Sequence, residues 1–115
     1  GQKRAFLEVM MEAIQGEDRV HFALASYNQG MGHIEDARRL TQRTGGDPNR
    51  WHDVRERLPL LSMRQYYSQA RHGYMRGKEP VVFVDKVWDY YKMLVWHEQQ
   101  ENLRLATASG NPAWL

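Results

Sequence analysis

Apolar residues recur along this chain at the three- and four-residue spacing that is typical of amphipathic α-helices. The strongest stripe lies in the last third of the chain and comprises Val84, Val87, Tyr91, Leu94 and Val95. Pro80 stands where the helix that carries this stripe would begin, and the pattern continues to about Leu105. The same spacing predicts earlier helices over Gln2–Gln15, Arg19–Gln29 and His33–Thr44. No segment has a comparable strand pattern, so the sequence predicts an all-α fold of at least four helices.

The second of these helices has apolar side chains on almost every side. They are Val20, Phe22, Ala23, Leu24, Ala25 and Tyr27. Because a helix that is apolar all round is usually buried, Arg19–Gln29 is predicted to be the central helix of the fold. Gly30 and Gly32 follow it, and both are predicted to interrupt helical structure.

Glycine, aspartate and proline mark the boundaries of the next segment. Gly45–Gly46 is predicted to end the third helix. Asp47 is predicted to cap a short fourth helix, with Pro48 in its first turn and Pro59 at its end. The residues on the inner face of this helix are Trp51, Val54 and Leu58.

Two later segments lack a helical pattern. His72–Lys78 contains two glycines and is predicted to form a loop. Ala106–Leu115 contains Ser, Gly, Asn and Pro and is predicted to be a tail. With no internal repeat and no interior linker, residues 1–105 are predicted to form one domain and residues 106–115 its tail.

The composition narrows the range of functions. The chain has 115 residues, enough for one small domain, and its net charge of +2 is too small to indicate a nucleic-acid-binding surface. It has no cysteine, which excludes disulfides, thiol catalysis and thiolate metal sites. No apolar run approaches the roughly 20 residues that a membrane-spanning helix needs. The chain begins with Gly1 and shows no signal peptide, so its first residue is interpreted as a processed or truncated end.

Histidine and arginine side chains are candidate ligand-binding groups. The five histidines are scattered without the spacing of metal ligands, so the sequence predicts no metal site and no cofactor. Four arginines lie close together in the sequence, namely Arg38, Arg39, Arg43 and Arg50. They are interpreted as a solvated helix surface, and the alternative is a surface that attracts anionic partners.

Several stretches of the chain, taken in their sequence order, resemble those of a known protein family. They are Phe22–His33 with its Ala-Ser-Tyr-Asn-Gln-Gly segment, Asp36–Thr41, Gly45–Pro48 with Trp51, Arg57–Leu61 with Tyr66–Tyr67, Gly73–Gly77, and a last helix with Tyr90–Tyr91. In this order and at these spacings they resemble the lytic transglycosylases, whose signature reads Ala-x-Tyr-Asn-x-Gly and whose superfamily includes the goose-type lysozymes. The resemblance extends from about Gly1 to Val95.

The resemblance implies a fold and a chemistry. The fold is the C-terminal lobe of a lysozyme-like helical bundle around a glycan cleft, over residues 1–105. The partner is the peptidoglycan glycan strand, in which the family cleaves the β-1,4 bond between N-acetylmuramic acid and N-acetylglucosamine. The muramyl 6-hydroxyl closes on the anomeric carbon to give 1,6-anhydromuramic acid, and one glutamate acts first as acid and then as base. The resemblance also implies a location in the periplasm or at the outer membrane, and it involves no nucleic acid.

The sequence departs from the family pattern in two places. The family's catalytic glutamate lies in a Glu-Ser-x-Trp-like motif well upstream of the Tyr-Asn motif, whereas only 26 residues precede Tyr27 and no glutamate here has that context. We therefore expect the catalytic glutamate upstream of residue 1 and no activity from this chain alone. If activity were found, Glu35 and Glu79 would be the first acids to test. The Tyr-Val pair of the family's last helix stands here as Phe83-Val84, which lacks the hydroxyl.

The resemblance implies five substrate-binding residues, which are Tyr27, Asn28, Gly30, Tyr74 and Phe83. Asn28 would present its amide to an N-acetyl group, while Tyr27 would line the cleft. Composition alone favours the alternative, in which Tyr27 is a core residue and Asn28 a cap at the C-terminal end of a helix. The aromatic cluster around Tyr74, which also includes Tyr66, Tyr67 and Arg76, is either a cleft wall or packs its loop against the bundle.

Three functional classes follow. The first is a fragment of a peptidoglycan lytic transglycosylase that is inactive alone. The second is a non-catalytic helical module that binds peptidoglycan or chitin oligosaccharides. The third is a helical interaction or DNA-binding domain, which would show a strong salt-dependent affinity for duplex DNA. For the first class we also expect self-association, because a missing lobe would leave apolar surface exposed.

Overall fold

The computed structural model describes residues 14–110. Its helices are α1 Gly16–Gln29, α2 Met31–Arg43, α3 Trp51–Arg57, a 3-10 helix at Leu58–Ser62, α4 Arg64–Tyr67 and α5 Lys78–Ala108. No strand occurs within the described range, so the prediction of an all-α fold is confirmed there. The helix predicted over Gln2–Gln15 lies outside the described residues, except for Ile14 and Gln15, which precede α1. The chain divides into two units, residues 1–84 and residues 85–115.

The boundary between α1 and α2 is a single residue. Gly30 has a φ of 91°, and its N–H donates to the carbonyl oxygen of Ser26 at 2.7 Å, which ends α1. The predicted interruption at Gly30 is confirmed, whereas the one at Gly32 is wrong because Gly32 lies inside α2. A Cβ at Gly32 would come within 2.9 Å of the His72 imidazole, so this glycine allows the side chain of a distant loop to approach the helix.

The prediction that α1 is the central buried helix is wrong. Only Phe22 and Ala25 of α1 are buried, while Val20 and Tyr27 are exposed. Helix α2 instead contributes five buried residues, which are Ile34, Asp36, Ala37, Leu40 and Thr41. An apolar side chain is buried only where another element covers it, and the pattern along one helix does not show which of its sides are covered.

Helix α3 is held by α1. The carboxylate of Asp18 in α1 accepts a hydrogen bond at 3.0 Å from the backbone N–H of Trp51, the first residue of α3. The Trp51 ring packs edge-on against Phe22, with the ring centroids 5.5 Å apart. The prediction that Asp47 caps this helix is wrong, because the side chain of Asp47 accepts instead from the N–H of Asn49 in the preceding turn. The cap comes from a helix more than 30 residues away in sequence, which local pattern cannot reveal.

The loop between α4 and α5 is tied to α2 by a buried carboxylate. Asp36 is 3% exposed and accepts hydrogen bonds from the backbone N–H groups of Arg71 and His72, at 3.1 and 2.8 Å. The Arg39 guanidinium donates a third hydrogen bond to Asp36, at 2.6 Å. Met75 of the same loop is buried in the core. These contacts set the path of the loop predicted at His72–Lys78, although Lys78 itself already belongs to α5.

The hydrophobic core lies in the first unit. Its buried members among the described residues are Ile14, Phe22, Ala25, Ile34, Ala37, Leu40, Trp51, Val54, Leu58, Leu61, Met75 and Val84. The apolar faces predicted for the second, third and fourth helices all contribute to this list. The core therefore fixes the directions in which α1 and the start of α5 present their remaining side chains.

The second unit contains the part of α5 that follows Val84. Its large apolar residues that are exposed are Tyr90, Tyr91, Met93, Leu94, Trp96, Leu103 and Leu105. The predicted stripe is thus helical, but Tyr91 and Leu94 are exposed among the described residues. Helix α5 ends at Ala108, three residues beyond the predicted end at Leu105 and inside the segment predicted as a tail. None of the helices within residues 14–110 is long and apolar enough to cross a membrane.

Candidate functional site

Tyr27 projects from the last turn of α1. It is 85% exposed, which excludes the alternative that it is a core residue. Its ring stacks against Phe83 of α5, with the ring centroids 6.2 Å apart and the planes inclined by 27°. Phe83 is half-buried and supports the phenol from one side, so an aromatic surface stands open at the end of α1.

Asn28 lies beside this aromatic pair and is half-buried. It is not the cap of α1, since that position is occupied by Gly30. The side-chain oxygen of Asn28 accepts a hydrogen bond at 2.9 Å from the side-chain nitrogen of Gln29. The side-chain amide of Asn28 therefore has a defined neighbour on one side, and its own nitrogen is a hydrogen-bond donor.

A short network continues from Asn28 to α5. The Gln29 amide nitrogen also donates to the carboxylate of Glu79, at 3.2 Å. The Arg76 guanidinium donates to the other oxygen of the same carboxylate, at 3.3 Å. The sequence does not single out Gln29, and it indicates Glu79 and Arg76 only as separate candidates. Because Gln29 and Glu79 are 50 residues apart, no spacing in the sequence indicates that they meet.

Gly30 places open backbone next to Asn28. Its φ of 91° is one that residues with a side chain rarely adopt. Within residues 14–110, no atom other than those of its chain neighbours lies within 4 Å of the position a Cβ would take. Glycine is therefore required here by the backbone conformation rather than by lack of space. A ligand can approach this backbone closely.

Tyr74 lies in the loop before α5 and is 53% exposed. Its ring packs edge-on against Tyr67, with the centroids 5.6 Å apart. Within the described part of the chain, no ring contact joins Tyr74 to Tyr27 or Phe83. The structure thus brings together Tyr27, Asn28, Gly30 and Phe83, while Tyr74 forms a separate aromatic pair.

The two glutamates that were considered as alternative acids have polar surroundings. Glu35 forms an ion pair with Arg39, and Glu79 forms one with Arg76 and is 51% exposed. A glutamate that acts as acid and then base needs a largely apolar pocket. Neither carboxylate has such surroundings among the residues that the structure describes.

The arginine-rich stretch is only partly the solvated surface that was predicted. Arg43 and Arg50 are exposed, but Arg38 is half-buried. The Arg38 guanidinium donates to the backbone carbonyl of Pro48 at 3.0 Å and to the Asn49 side chain at 2.7 Å. Burial lowers the pKa of Arg38, an effect partly offset by the negative charges of Glu35 and Asp47. Arg38 is thus a structural residue that holds the turn before α3.

No grouping of three or more histidine, aspartate or glutamate side chains suited to a metal ion occurs within residues 14–110. His33 and His72 come together as an edge-on pair, with ring centroids 6.2 Å apart. Two imidazoles without a third ligand fall short of the three protein ligands that a catalytic zinc site uses.

Comparison with known proteins identifies relatives over most of this chain. A protein of Cellvibrio japonicus is 63% identical over 107 residues, which is 93% of this chain and 22% of that protein. Proteins of Shewanella frigidimarina and Vibrio vulnificus are 51% and 48% identical, over 82% and 86% of this chain and 20% and 19% of their own lengths. All three are named membrane-bound lytic murein transglycosylase F.

No protein-family model matches the chain. The chain spans about a fifth of the length of the curated relatives that it matches, 19–22% for the three named above. Identity at this level shows that the chain and these relatives share descent and fold over that span. The chain is therefore homologous to one segment of the membrane-bound lytic murein transglycosylase F proteins.

Proposed function

We propose that this chain forms part of the glycan-binding cleft of a peptidoglycan lytic transglycosylase. The proposed parent reaction cleaves the β-1,4 bond between N-acetylmuramic acid and N-acetylglucosamine and forms 1,6-anhydromuramic acid. Tyr27, Asn28, Gly30 and Phe83 would contact the glycan at the end of α1. Tyr74 would contact it from the following loop, as a second aromatic position on the same ligand.

The observation that carries this proposal is the environment of Tyr27. A tyrosine that is 85% exposed beside a half-buried asparagine has no structural role in the core. An open aromatic ring suits the apolar face of a pyranose, and an adjacent amide suits an N-acetyl group. Gly30 leaves room for the sugar to approach the backbone. The geometry therefore favours a sugar ligand over an apolar or a polyanionic one.

The chemistry of cleavage requires an acid that we do not assign to any residue of this chain. General acid catalysis contributes roughly 10²–10⁴-fold to such rates. Because Glu35 and Glu79 are ion-paired and solvent-accessible, we propose that this chain binds glycan without cleaving it. This property also fits the second candidate, a non-catalytic module that binds peptidoglycan or chitin oligosaccharides.

Two assays on one preparation separate these outcomes. Purified chain is incubated with murein sacculi, the pellet is analysed for bound protein, and the supernatant for 1,6-anhydromuropeptides. We expect the chain in the pellet and no anhydro products. Anhydro products at a rate that Glu35→Gln and Glu79→Gln leave unchanged would require an acid elsewhere in the chain. Absence of binding to sacculi and to chitotetraose would contradict the proposed function.

We also propose where the parent protein acts and how this chain behaves in isolation. The relatives are named membrane-bound, which supports a periplasmic or outer-membrane location for the parent protein. The apolar residues of α5 that are exposed, including Tyr91, Leu94 and Trp96, support self-association of the isolated chain. Sedimentation that shows a monomer at high concentration would contradict the self-association.

A further inference from the structure

The side-chain amides at the end of α1 form a directed series of hydrogen bonds. Glu79 of α5 receives the Arg76 guanidinium on one carboxylate oxygen and the Gln29 amide on the other. Gln29 also reaches Asn28, at 2.9 Å. All three links lie in the first unit of the chain.

The carboxylate at one end decides which way each amide faces. An ionised carboxylate only accepts hydrogen bonds, so the Gln29 group that meets Glu79 is the NH2 group. The same NH2 group meets Asn28, so the Asn28 atom on that side is its carbonyl oxygen. One lone pair of that oxygen is thereby used. The two N–H donors of Asn28 point away from Gln29 and take no part in the network.

We infer that Gln29 and Glu79 are positioning residues that orient Asn28 so that it offers N–H donors to an acceptor oxygen of the glycan. The inference rests on the proposed function and specifies its chemistry. An N-acetyl group offers a carbonyl oxygen that can accept such a bond, whereas the protonated amine of a deacetylated sugar only donates. The site therefore selects N-acetylated sugars over deacetylated ones through an asparagine whose direction is set from a second helix.

A pair of variants reverses the direction while the size of the side chains is kept. In Glu79→Gln, residue 79 keeps only one side-chain oxygen. The Arg76 guanidinium can only donate and takes that oxygen, so the new NH2 group faces Gln29. Gln29 then turns its own oxygen toward residue 79, and Asn28 turns its NH2 group toward Gln29. In the double variant Gln29→Glu with Glu79→Gln, residue 29 can only accept, so Asn28 turns its NH2 group toward it and offers its oxygen to the ligand. The double variant has the same net charge as the wild type, which excludes a simple charge effect.

Binding is measured by calorimetric titration with chitotetraose and with its fully deacetylated counterpart. We expect Glu79→Gln to bind chitotetraose more weakly than the wild type, because Asn28 then offers its oxygen rather than its N–H donors. The double variant should bind it about 5- to 150-fold more weakly, the range that corresponds to one ligand acceptor left unpaired. Its preference should shift toward the deacetylated sugar, and its melting temperature should remain close to that of Glu79→Gln. Equal affinity of the double variant and the wild type for chitotetraose would overturn the inference.

The orientation of the Gln29 side chain can also be tested without ligand. In ¹⁵N spectra of the wild type, the side-chain NH2 resonances of Gln29 should differ from those of a solvent-exposed amide and move to the exposed position in Glu79→Ala. Gln29 resonances at the exposed position in the wild type would overturn the inference even if chitotetraose binds. A wild type that binds no chitotetraose but shows the shifted Gln29 resonances would contradict the proposed function and confirm only the network.

Discussion

Asp36 and Glu79 are two carboxylates with similar partners and different surroundings. Each accepts hydrogen bonds from an arginine and from a distant part of the chain, but the Asp36 side chain is 1% exposed and that of Glu79 is 51% exposed. Removal of a buried carboxylate leaves its donors without water, whereas water replaces an exposed one. Asp36 therefore stabilises the fold, while Glu79 can orient neighbouring side chains at little cost to stability.

The largest expected effect is the loss of the buried carboxylate. Asp36→Ala should lower the free energy of unfolding by about 2–4 kcal/mol, because it leaves the N–H groups of Arg71 and His72 and the Arg39 guanidinium without an acceptor. Glu79→Ala is the matched variant and should change it by less than about 1 kcal/mol. Urea titration followed by circular dichroism measures both. Equal destabilisation by the two variants would contradict the claim that the buried carboxylate stabilises the fold more than the exposed one.

A second effect concerns Gly77, the last residue of the loop between α4 and α5. A Cβ at Gly77 would lie 1.8 Å from the backbone carbonyl oxygen of Leu58, so Gly77→Ala must displace backbone. We expect a loss of about 1–3 kcal/mol or more. Gly32→Ala is the control, because the atoms nearest to its Cβ belong to the His72 side chain, which can move, and it should change stability by about 1 kcal/mol at most. The same urea titrations measure both variants. A Gly77→Ala variant as stable as the wild type would show that the loop is not held at this residue.

A smaller effect is expected at the exposed end of α1. Tyr27→Ala should leave the melting temperature nearly unchanged, since the residue is 85% exposed. It should weaken binding of chitotetraose by about 2- to 12-fold, the value of one aromatic stacking contact. Tyr90→Ala removes another exposed tyrosine, which lies on α5, and should not affect binding. If both variants bind like the wild type, Tyr27 is not part of the site.

The smallest effect concerns a third carboxylate. The pKa of Asp53 is lowered mainly by the hydrogen bond from the Asp47 N–H, with a smaller contribution from His52. A lowered pKa in the folded state contributes stability that is present at neutral pH and is lost as the pH falls from about 5 through the folded-state pKa. Thermal unfolding at pH 7 and pH 4 should therefore show a slightly larger loss for the wild type than for Asp53→Asn. Glu56→Gln, on the same helix, should behave like the wild type.

The sequence predicted the helices more reliably than their surroundings. The apolar spacing identified α1, α2, α3 and α5 within a few residues, because that spacing reflects the helical repeat itself. It misidentified the central helix, because burial depends on which elements meet. It also missed the cap that Asp18 provides to α3, since that contact joins residues 33 apart in sequence.

In the candidate site, too, the sequence indicated neighbours along the chain but not contacts between distant helices. The Tyr-Asn motif indicated Tyr27, Asn28 and Gly30 correctly as neighbours at the end of a helix, because they are adjacent in sequence. Phe83 was indicated only through the family resemblance, and the structure brings it against Tyr27. Gln29 and Glu79 went unrecognised as a pair, because their contact depends on how α1 and the start of α5 pack.

The central claim is that the open end of α1 binds N-acetylated glycan through Tyr27 and Asn28. Calorimetric titration of chitotetraose into wild type and Asn28→Ala tests it most directly, with circular dichroism melting curves as the check on folding. We predict that Asn28→Ala binds more weakly by about 1–3 kcal/mol, the cost of a ligand group left unpaired, with a nearly unchanged melting temperature. Equal affinities of the two proteins, or a wild type that does not bind, would contradict the claim.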